Sequence, residues 1–283
     1  MAQRAQCAAT TKPFVKWAGG KGQLLDRIKD LMPKSFNDYY EPFLGGGALF
    51  FAIKPQRAYL NDINKVLISA FNNIQENPVD LIRKLTLLQT AFDELKPTQR
   101  RAFYNSIRDK YNDSRIGSVQ KTAHFIFLNR TCFNGLYREN SKGKFNVPMG
   151  DSKNPTICDK DTILNDSKVL KGVTITSKLF HDAVTTAKKG DFIYFDPPYY
   201  PVIKTSFTRY HEGDFAEADH IKLLETFEML DQKGCKVMLS NSSAPFILQL
   251  FKDYRVVKVN ANRSINSNGK KRGKVQELII MNY

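Results

Sequence analysis

Phe192-Ile193-Tyr194-Phe195-Asp196-Pro197-Pro198-Tyr199 begins as an apolar, β-branched and aromatic run entered from Gly190, and ends on a carboxylate, two prolines and a tyrosine. The run reads as a buried strand. Proline has no N–H for a sheet ladder, so the strand must stop at Asp196 and its carboxyl edge opens on a cleft. In an open parallel α/β sheet, ligands bind in that crevice. A plain strand closed by a rigid turn would carry much of the same pattern. The tyrosine directly behind the double proline, with Tyr200-Pro201 following, favours a site.

Around this segment the chain alternates strand and helix. Val173-Thr174-Ile175 reads as a strand, 181–188 as a short helix, and 219–231 as a helix with Ile221, Leu224 and Leu230 inward. Lys236–Ser240, Arg255–Val259 and Val275–Ile280 read as further strands, the last two joined by the basic loop Asn260–Lys274. Toward the N-terminus, residues 1–12 read as a loose tail. Pro13–Val15 is strand-like, and a helix runs from about Leu24 to Leu31 and stops at Pro33. Tyr39–Phe43 is extended, Leu44-Gly45-Gly46-Gly47 is a loop, a helix starts at Ala48, and Ala58–Asp62 is a strand ending on an acid. Strand, glycine loop, helix and strand-acid make the first half of a Rossmann-type unit.

Between these halves the pattern changes. Leu81, Ile82, Leu85 and Leu88, then Ala123, Phe125, Ile126 and Phe127, recur at helical spacing, so residues 64 to about 128 read as a helical insertion. Residues 129–155 are basic and polar, with turn pairs at Asn134-Gly135 and Lys142-Gly143, and predict a surface β-hairpin.

The charge narrows the partner. Forty-three Lys and Arg against 28 Asp and Glu give +15, which points to a polyanion, most simply nucleic acid. The basic residues are spread along the chain rather than gathered on one amphipathic helix, which argues against a membrane surface. No apolar run approaches the ~20 residues that span a bilayer. No apolar signal core lies in Met1–Lys12, and the four cysteines are far apart, so they read as reduced thiols of a cytoplasmic protein with no metal site.

Gly45-Gly46-Gly47 lets backbone approach a ligand at a strand-to-helix turn. It matches neither the triphosphate loop nor the dinucleotide fingerprint. Asp62 follows Gly45 by 17 positions, close to the spacing of about 20 at which an acid meets a ribose hydroxyl. A nucleoside ligand without a phosphate chain fits both facts, and S-adenosylmethionine is one. Lys21 can meet its carboxylate and Trp17, the single tryptophan, can wall its positive charge, although a core indole and a solvated lysine are the plain alternative.

If the acceptor is the exocyclic amine of adenine, its lone pair is delocalised into the ring. The Asp196 carboxylate and Pro197 carbonyl can accept its two hydrogens and free that lone pair, while Tyr199 stacks on the extruded base. Positioning then supplies much of the rate. A cytosine-C5 enzyme would need an activated cysteine, and no cysteine here follows a proline.

Six segments occur in order: Phe14-x-Lys16-Trp17-x-Gly19-Gly20-Lys21, Glu41-Pro42-Phe43-x-Gly45-Gly46-Gly47, Asn61-Asp62-x-Asn64, Phe133-Asn134-Gly135-Leu136-x-Arg138, Phe145-Asn146-Val147-Pro148-x-Gly150 and Asp196-Pro197-Pro198-Tyr199. Together they resemble the Dam-like, alpha-group DNA adenine-N6 methyltransferases over about residues 13–283. The resemblance implies an α/β, Rossmann-like S-adenosylmethionine-dependent methyltransferase fold. Its mixed central sheet would carry helices on both faces, plus a mainly helical target-recognition insertion with a β-hairpin. Residues 13–64 and 166–283 would be the catalytic domain and 65–165 the recognition domain. Trp17, Lys21, Asp62 and Asp196 fall at cofactor-contacting positions, with Phe43, Gly45, Gly47 and Phe180 completing the set, and Asp196, Pro197, Pro198 and Tyr199 form the adenine pocket. One departure stands out: Ser177-Lys178-Leu179-Phe180 lies where many relatives carry Gly-Asp-Phe, so an acid is missing there.

Arg138, Asn140, Lys142 and Lys144, with Lys270 and Arg272 of the later loop, are the candidate DNA contacts, to phosphate or to base edges. The expectation is a cytoplasmic enzyme methylating adenine N6 in duplex DNA, with GATC as the palindrome the resemblance suggests and a restriction endonuclease as a functional counterpart. A related fold acting on RNA or on protein glutamine is the first rival; Asp196 opposes the latter, whose members typically carry Asn there. A non-catalytic DNA-binding protein retaining the fold is the second.

Overall fold

Short runs of buried β-branched and aromatic residues build one seven-stranded sheet: β1 (Tyr39–Glu41), β2 (Ala58–Asn61), β3 (Thr174–Thr176), β4 (Phe192–Phe195), β5 (Lys236–Ser242), β6 (Arg255–Asn262) and β7 (Lys274–Met281). The computed structural model describes residues 11–113, 115–202, 215–262 and 274–283. The strand order is β3-β2-β1-β4-β5-β7-β6. β1 to β5 run parallel to one another, while β7 runs antiparallel to both β5 and β6. The order grows outward from β1 through β2 to β3 and then returns to β4 on β1's other side. The carboxyl ends of β1 and β4 therefore flank the switch point, the place where such sheets bind ligands.

Register sorts the side chains by face. Tyr40, Ile193, Phe195, Val237, Leu239, Leu278 and Ile280 join one buried cluster. Into it pack Leu223, Phe227 and Leu230 of a helix at Glu217–Gln232 (α8) and Ile247 of a helix at Pro245–Leu250 (α9), where helices are numbered along the chain. Truncating a side chain buried as fully as Phe227 costs about 3–5 kcal/mol. Alternation puts Tyr39, Glu41, Tyr194, Ser240 and Ser242 on the opposite face, among the apolar Phe192, Met238, Ile279 and Met281.

Two compact units are formed. The sheet unit takes Lys21–Leu44, Pro55–Ile63 and the described residues from Val173 on, including α1 (Leu25–Leu31). The helical unit takes the described residues through Gly20, then Gly45–Lys54 and Asn64–Gly172. Its helices are α2 (Ala48–Ile53), α3 (Lys65–Glu76), α4 (Pro78–Glu94), α5 (Pro97–Tyr111), α6 (Ser118–Thr131) and α7 (Lys160–Leu170). Asn64 caps α3 by accepting from the Val66 and Leu67 N–H groups, both at 3.0 Å, and Pro78 and Pro97 start α4 and α5. α6 is buried on nearly every face and packs on α3, α4 and α5. These packing units are cut differently from the division expected at 64/65 and 165/166: residues 13–20, 45–54, 64 and 166–172 pack with the helices.

Several elements differ from their sequence expectation. Pro13–Val15 forms no strand; Phe14 and Val15 are buried in the helical unit, and Phe14 packs edge-on against Phe71 at 4.8 Å. The helix expected at 181–188 is a single 3-10 turn, Asp182–Val184. In α8 the inward residues are His220, Leu223, Phe227 and Leu230, whereas Ile221 is exposed and Leu224 only partly buried. The hairpin is reduced to isolated antiparallel bridges, Cys132 with Met149 and Glu139 with Phe145, and Asn134-Gly135 lies in a 3-10 turn.

Candidate active site

Pro197 and Pro198 end β4 as expected and leave Asp196 at its carboxyl edge. Lys21, contributed by the turn that leads into α1, places its Nζ 2.7 Å from Asp196 Oδ1. The lysine is 8% exposed, so the pair is largely removed from water. The same Nζ lies 4.5 Å from the centre of the Tyr199 ring, a cation–π contact. The Tyr199 hydroxyl donates to Glu277 Oε2 of β7 at 2.7 Å. Burial raises the Asp196 carboxyl to about 6; Lys21 opposes the rise and the negative charge of Glu277 adds to it. Burial also lifts the Tyr199 phenol well above its ordinary value, with Asp196 the next cause, so it stays protonated.

β5 fixes the loop behind the prolines. Asn241 Oδ1 accepts from the Tyr200 N–H at 3.1 Å, and Ser242 Oγ donates to the Tyr200 carbonyl at 2.5 Å. The Tyr200 hydroxyl donates to Glu217. On the sheet face that carries Asp196, Tyr194 pairs with Ser240 at 2.8 Å and Tyr39 donates to Glu41 at 2.8 Å. Asp196 itself is held by the Lys21 ion pair.

The ends of β1, β2 and β3 are tied by one amide. Asn61 Nδ2 donates to the Pro42 and Lys178 carbonyls, each at 3.0 Å, and its Oδ1 accepts from Lys178 N–H and Thr176 Oγ1, each at 2.8 Å. Asp62 follows directly, its N–H 3.3 Å from the Thr176 carbonyl. Phe43 and Phe180 flank this knot with rings stacked at 5.3 Å, and Phe215 meets both. Sequence reasoning placed Asp62, Phe43 and Phe180 near one ligand, and the structure brings all three to one edge of the sheet unit. Leu179, where the acid is missing, is 52% exposed.

Trp17, Gly45 and Gly47 belong to the helical unit. Gly45 has φ +50° and Gly47 φ +71°, both in the left-handed region. A Cβ on Gly45 would lie 3.0 Å from Trp17 Cδ1, so this glycine also admits the indole. Trp17 stacks on Tyr137 at 5.5 Å. Asn129 holds the neighbouring Lys16 backbone at both its N–H and its carbonyl, each at 2.8 Å.

Arg138, Asn140, Lys142 and Lys144 line an exposed loop of the same unit. Arg138 Nε donates to Asn146 Oδ1 at 2.8 Å. Asn140 Oδ1 accepts from the backbone N–H groups of Lys142 and Lys144 at 2.9 and 3.1 Å, so this residue builds the turn that presents the two lysines. Lys270 and Arg272, with Arg263 and Lys271 of the same loop, lie outside the described residues, as do residues 1–10 of the expected tail. Sequence reasoning missed Glu277, Asn241 and Ser242, and gave Asn61 no role beyond its place in the Asn61-Asp62-x-Asn64 segment. Each is an ordinary polar residue in its strand, and only inter-strand register reveals its partner.

A half-buried carboxylate, a lysine and a tyrosine stand together at the carboxyl end of the strand beside a topological switch point. Such a set can hold a polar planar group. The family model for the D12 class of N6 adenine-specific DNA methyltransferases matches residues 17–265. The Type II methyltransferase M1.LlaDCHI of Lactococcus lactis subsp. cremoris is 44% identical over 96% of this chain and 95% of its own. Type II methyltransferase M.MjaIII of Methanocaldococcus jannaschii is 42% identical over 96% and 99%. The DNA adenine methylase of Haemophilus influenzae is 34% identical over 95% and 93%. With the site's geometry and a match of this extent together, the chain belongs to the D12 class of N6 adenine-specific DNA methyltransferases.

Proposed function

We propose that this protein methylates N6 of an adenine flipped out of duplex DNA, with S-adenosylmethionine as donor. The observation that carries the reading is Asp196 at the end of β4, ion-paired to Lys21 and next to Tyr199. The residues fit the donor's parts. Asp62 can accept from ribose hydroxyls, the Phe43–Phe180 pair offers apolar ring faces, and Lys21 supplies positive charge for a carboxylate, charge that meets Asp196 in the structure. Trp17, Gly45 and Gly47 are assigned to the same cofactor by their place in the chain. When bound, S-adenosylmethionine supplies a methyl group on a sulfonium, an electrophile for a nitrogen lone pair.

Asp196, ionised at neutral pH yet held up at about 6, accepts one amine hydrogen more strongly than an ordinary aspartate, and the Pro197 carbonyl accepts the other. Pro198 stiffens the loop, and Tyr199 stacks on the base. Arg138, Lys142 and Lys144 contact phosphate or base edges, with Asn140 shaping their loop and Lys270 and Arg272 adding charge. The resemblance to Dam-like enzymes favours GATC as the site. The names of two relatives as Type II methyltransferases support pairing with a restriction endonuclease. No helix among the described residues is long and apolar enough to cross a membrane, which suits cytoplasmic action on DNA.

The test is to incubate the purified protein with unmethylated duplex DNA and methyl-labelled cofactor. Label on adenine N6 is expected, and sequencing the modified DNA gives the motif. Label found only on RNA or protein sinks the reading.

A further inference from the structure

We propose that Glu277 is a positioning residue for methyl transfer, acting through Tyr199. The inference rests on the adenine-pocket reading of Tyr199 and adds a residue that arrives from a strand remote in sequence.

β7 pairs antiparallel with β5, and the register sets Glu277 opposite Ser242. Strand alternation therefore puts Glu277 on the face that also carries Ser240, Tyr194 and the end of β4. From there its Oε2 accepts the Tyr199 hydroxyl at 2.7 Å. A phenol that follows a proline turn has two torsions of its own. With its hydroxyl anchored to a sheet strand and Lys21 Nζ 4.5 Å from its ring centre, the ring plane is held from its tip and from one face. Stacking on a base needs such a fixed plane, because a displacement of about 1 Å in a positioned group can cost up to about a hundredfold in rate.

The carboxylate has a second effect. Asp196 faces Lys21 from the segment before α1, Tyr39 of β1, Tyr194 of its own strand, Tyr199 of the following loop and Glu277 of β7. Lys21 favours its ionised form and Glu277 disfavours it. A neutral hydrogen-bond acceptor at 277 would keep the anchor and lose the repulsion, so the two effects separate experimentally.

Turnover on duplex DNA is measured from pH 5 to 9 for the wild type, E277A, E277Q, Y199F and the Y199F/E277A pair, with cofactor affinity measured in parallel. E277A and Y199F are each expected to lower kcat about tenfold or more with cofactor affinity unchanged, and the double variant to be no worse than either. E277Q is expected to recover kcat to within about threefold at high pH, with its acid limb moved to lower pH. E277A at wild-type turnover, E277Q as poor as E277A, losses that multiply in the double variant, or an acid limb that stays put would each overturn the proposal. A wild type that methylates no adenine overturns the proposed function and this inference together, whereas an active wild type with an equally active E277A overturns this inference alone.

Discussion

Asn61 grips the backbone of Lys178 at both of its polar atoms, donating to the carbonyl at 3.0 Å and accepting from the N–H at 2.8 Å. With Pro42 and Thr176 bound as well, the amide joins the ends of three strands. Asn61→Ala should destabilise the protein by about 2–4 kcal/mol, since it leaves several buried backbone groups unpaired. Asn61→Asp should be no better, because it sets a carboxylate oxygen against two carbonyls. Urea unfolding with parallel cofactor titration measures both, and an Asn61→Asp protein as stable as the parent would refute the role.

Asp196 sets stability and activity against each other. Its raised value of about 6, against an ordinary 3.8, means that the folded protein holds the proton more tightly than the unfolded chain. The associated stability is complete below about pH 4 and is lost as pH rises to about 6, a change of roughly 3 kcal/mol. Stability relative to Asp196→Asn should therefore fall through that window and then level off. The catalytic acid limb should rise through the same window as the carboxylate ionises. Unfolding curves of both proteins at each pH measure the first trend, and flat differences across the window would remove the argument.

Gly45 disfavours a side chain for two separate reasons, its φ of +50° and the 3.0 Å approach of Trp17. Gly45→Ala should cost about 1–2 kcal/mol from the backbone alone and should shift the emission of Trp17, the only tryptophan. Unchanged emission and an unchanged unfolding midpoint would contradict the packing described.

The loop lysines should behave as phosphate contacts. Replacing Lys142 and Lys144 together by alanine should weaken DNA binding across sequences and reduce the slope of log affinity against log salt by about 0.9 per lost contact. Arg138→Ala should instead loosen sequence preference, its guanidinium being held in one direction by Asn146. Binding measured at several salt concentrations on matched and mismatched duplexes separates these effects. An unchanged slope in the double variant rules out phosphate contact.

Most of the sheet was legible because its strands are short β-branched runs bounded by glycine and proline. The glycine loop, Asp62 and the turn after β4 followed from the same punctuation. Helix α8 was read partly out of phase: Leu230 points inward as expected and Leu224 packs at the edge of the cluster, but Ile221 is exposed, and buried His220 disguises the inner face. α9 was missed although Pro245 marks its first turn. Glu277 and Asn241 could not be found by pattern, because a hydrogen bond across 78 residues, as from Tyr199 to Glu277, leaves no local trace. The hairpin contracted to isolated bridges because Asn140 closes its turn with side-chain bonds and few residues remain to pair.

β7 is last in sequence among the seven strands yet lies between β5 and β6. During synthesis, β5 and β6 therefore wait with unpaired edges, and β6 has no sheet partner until β7 slides in beside it. The strand that completes the sheet also delivers Glu277, so a ribosome-bound chain that has already made Asp196 and Tyr199 still lacks the hydrogen-bond acceptor for that tyrosine.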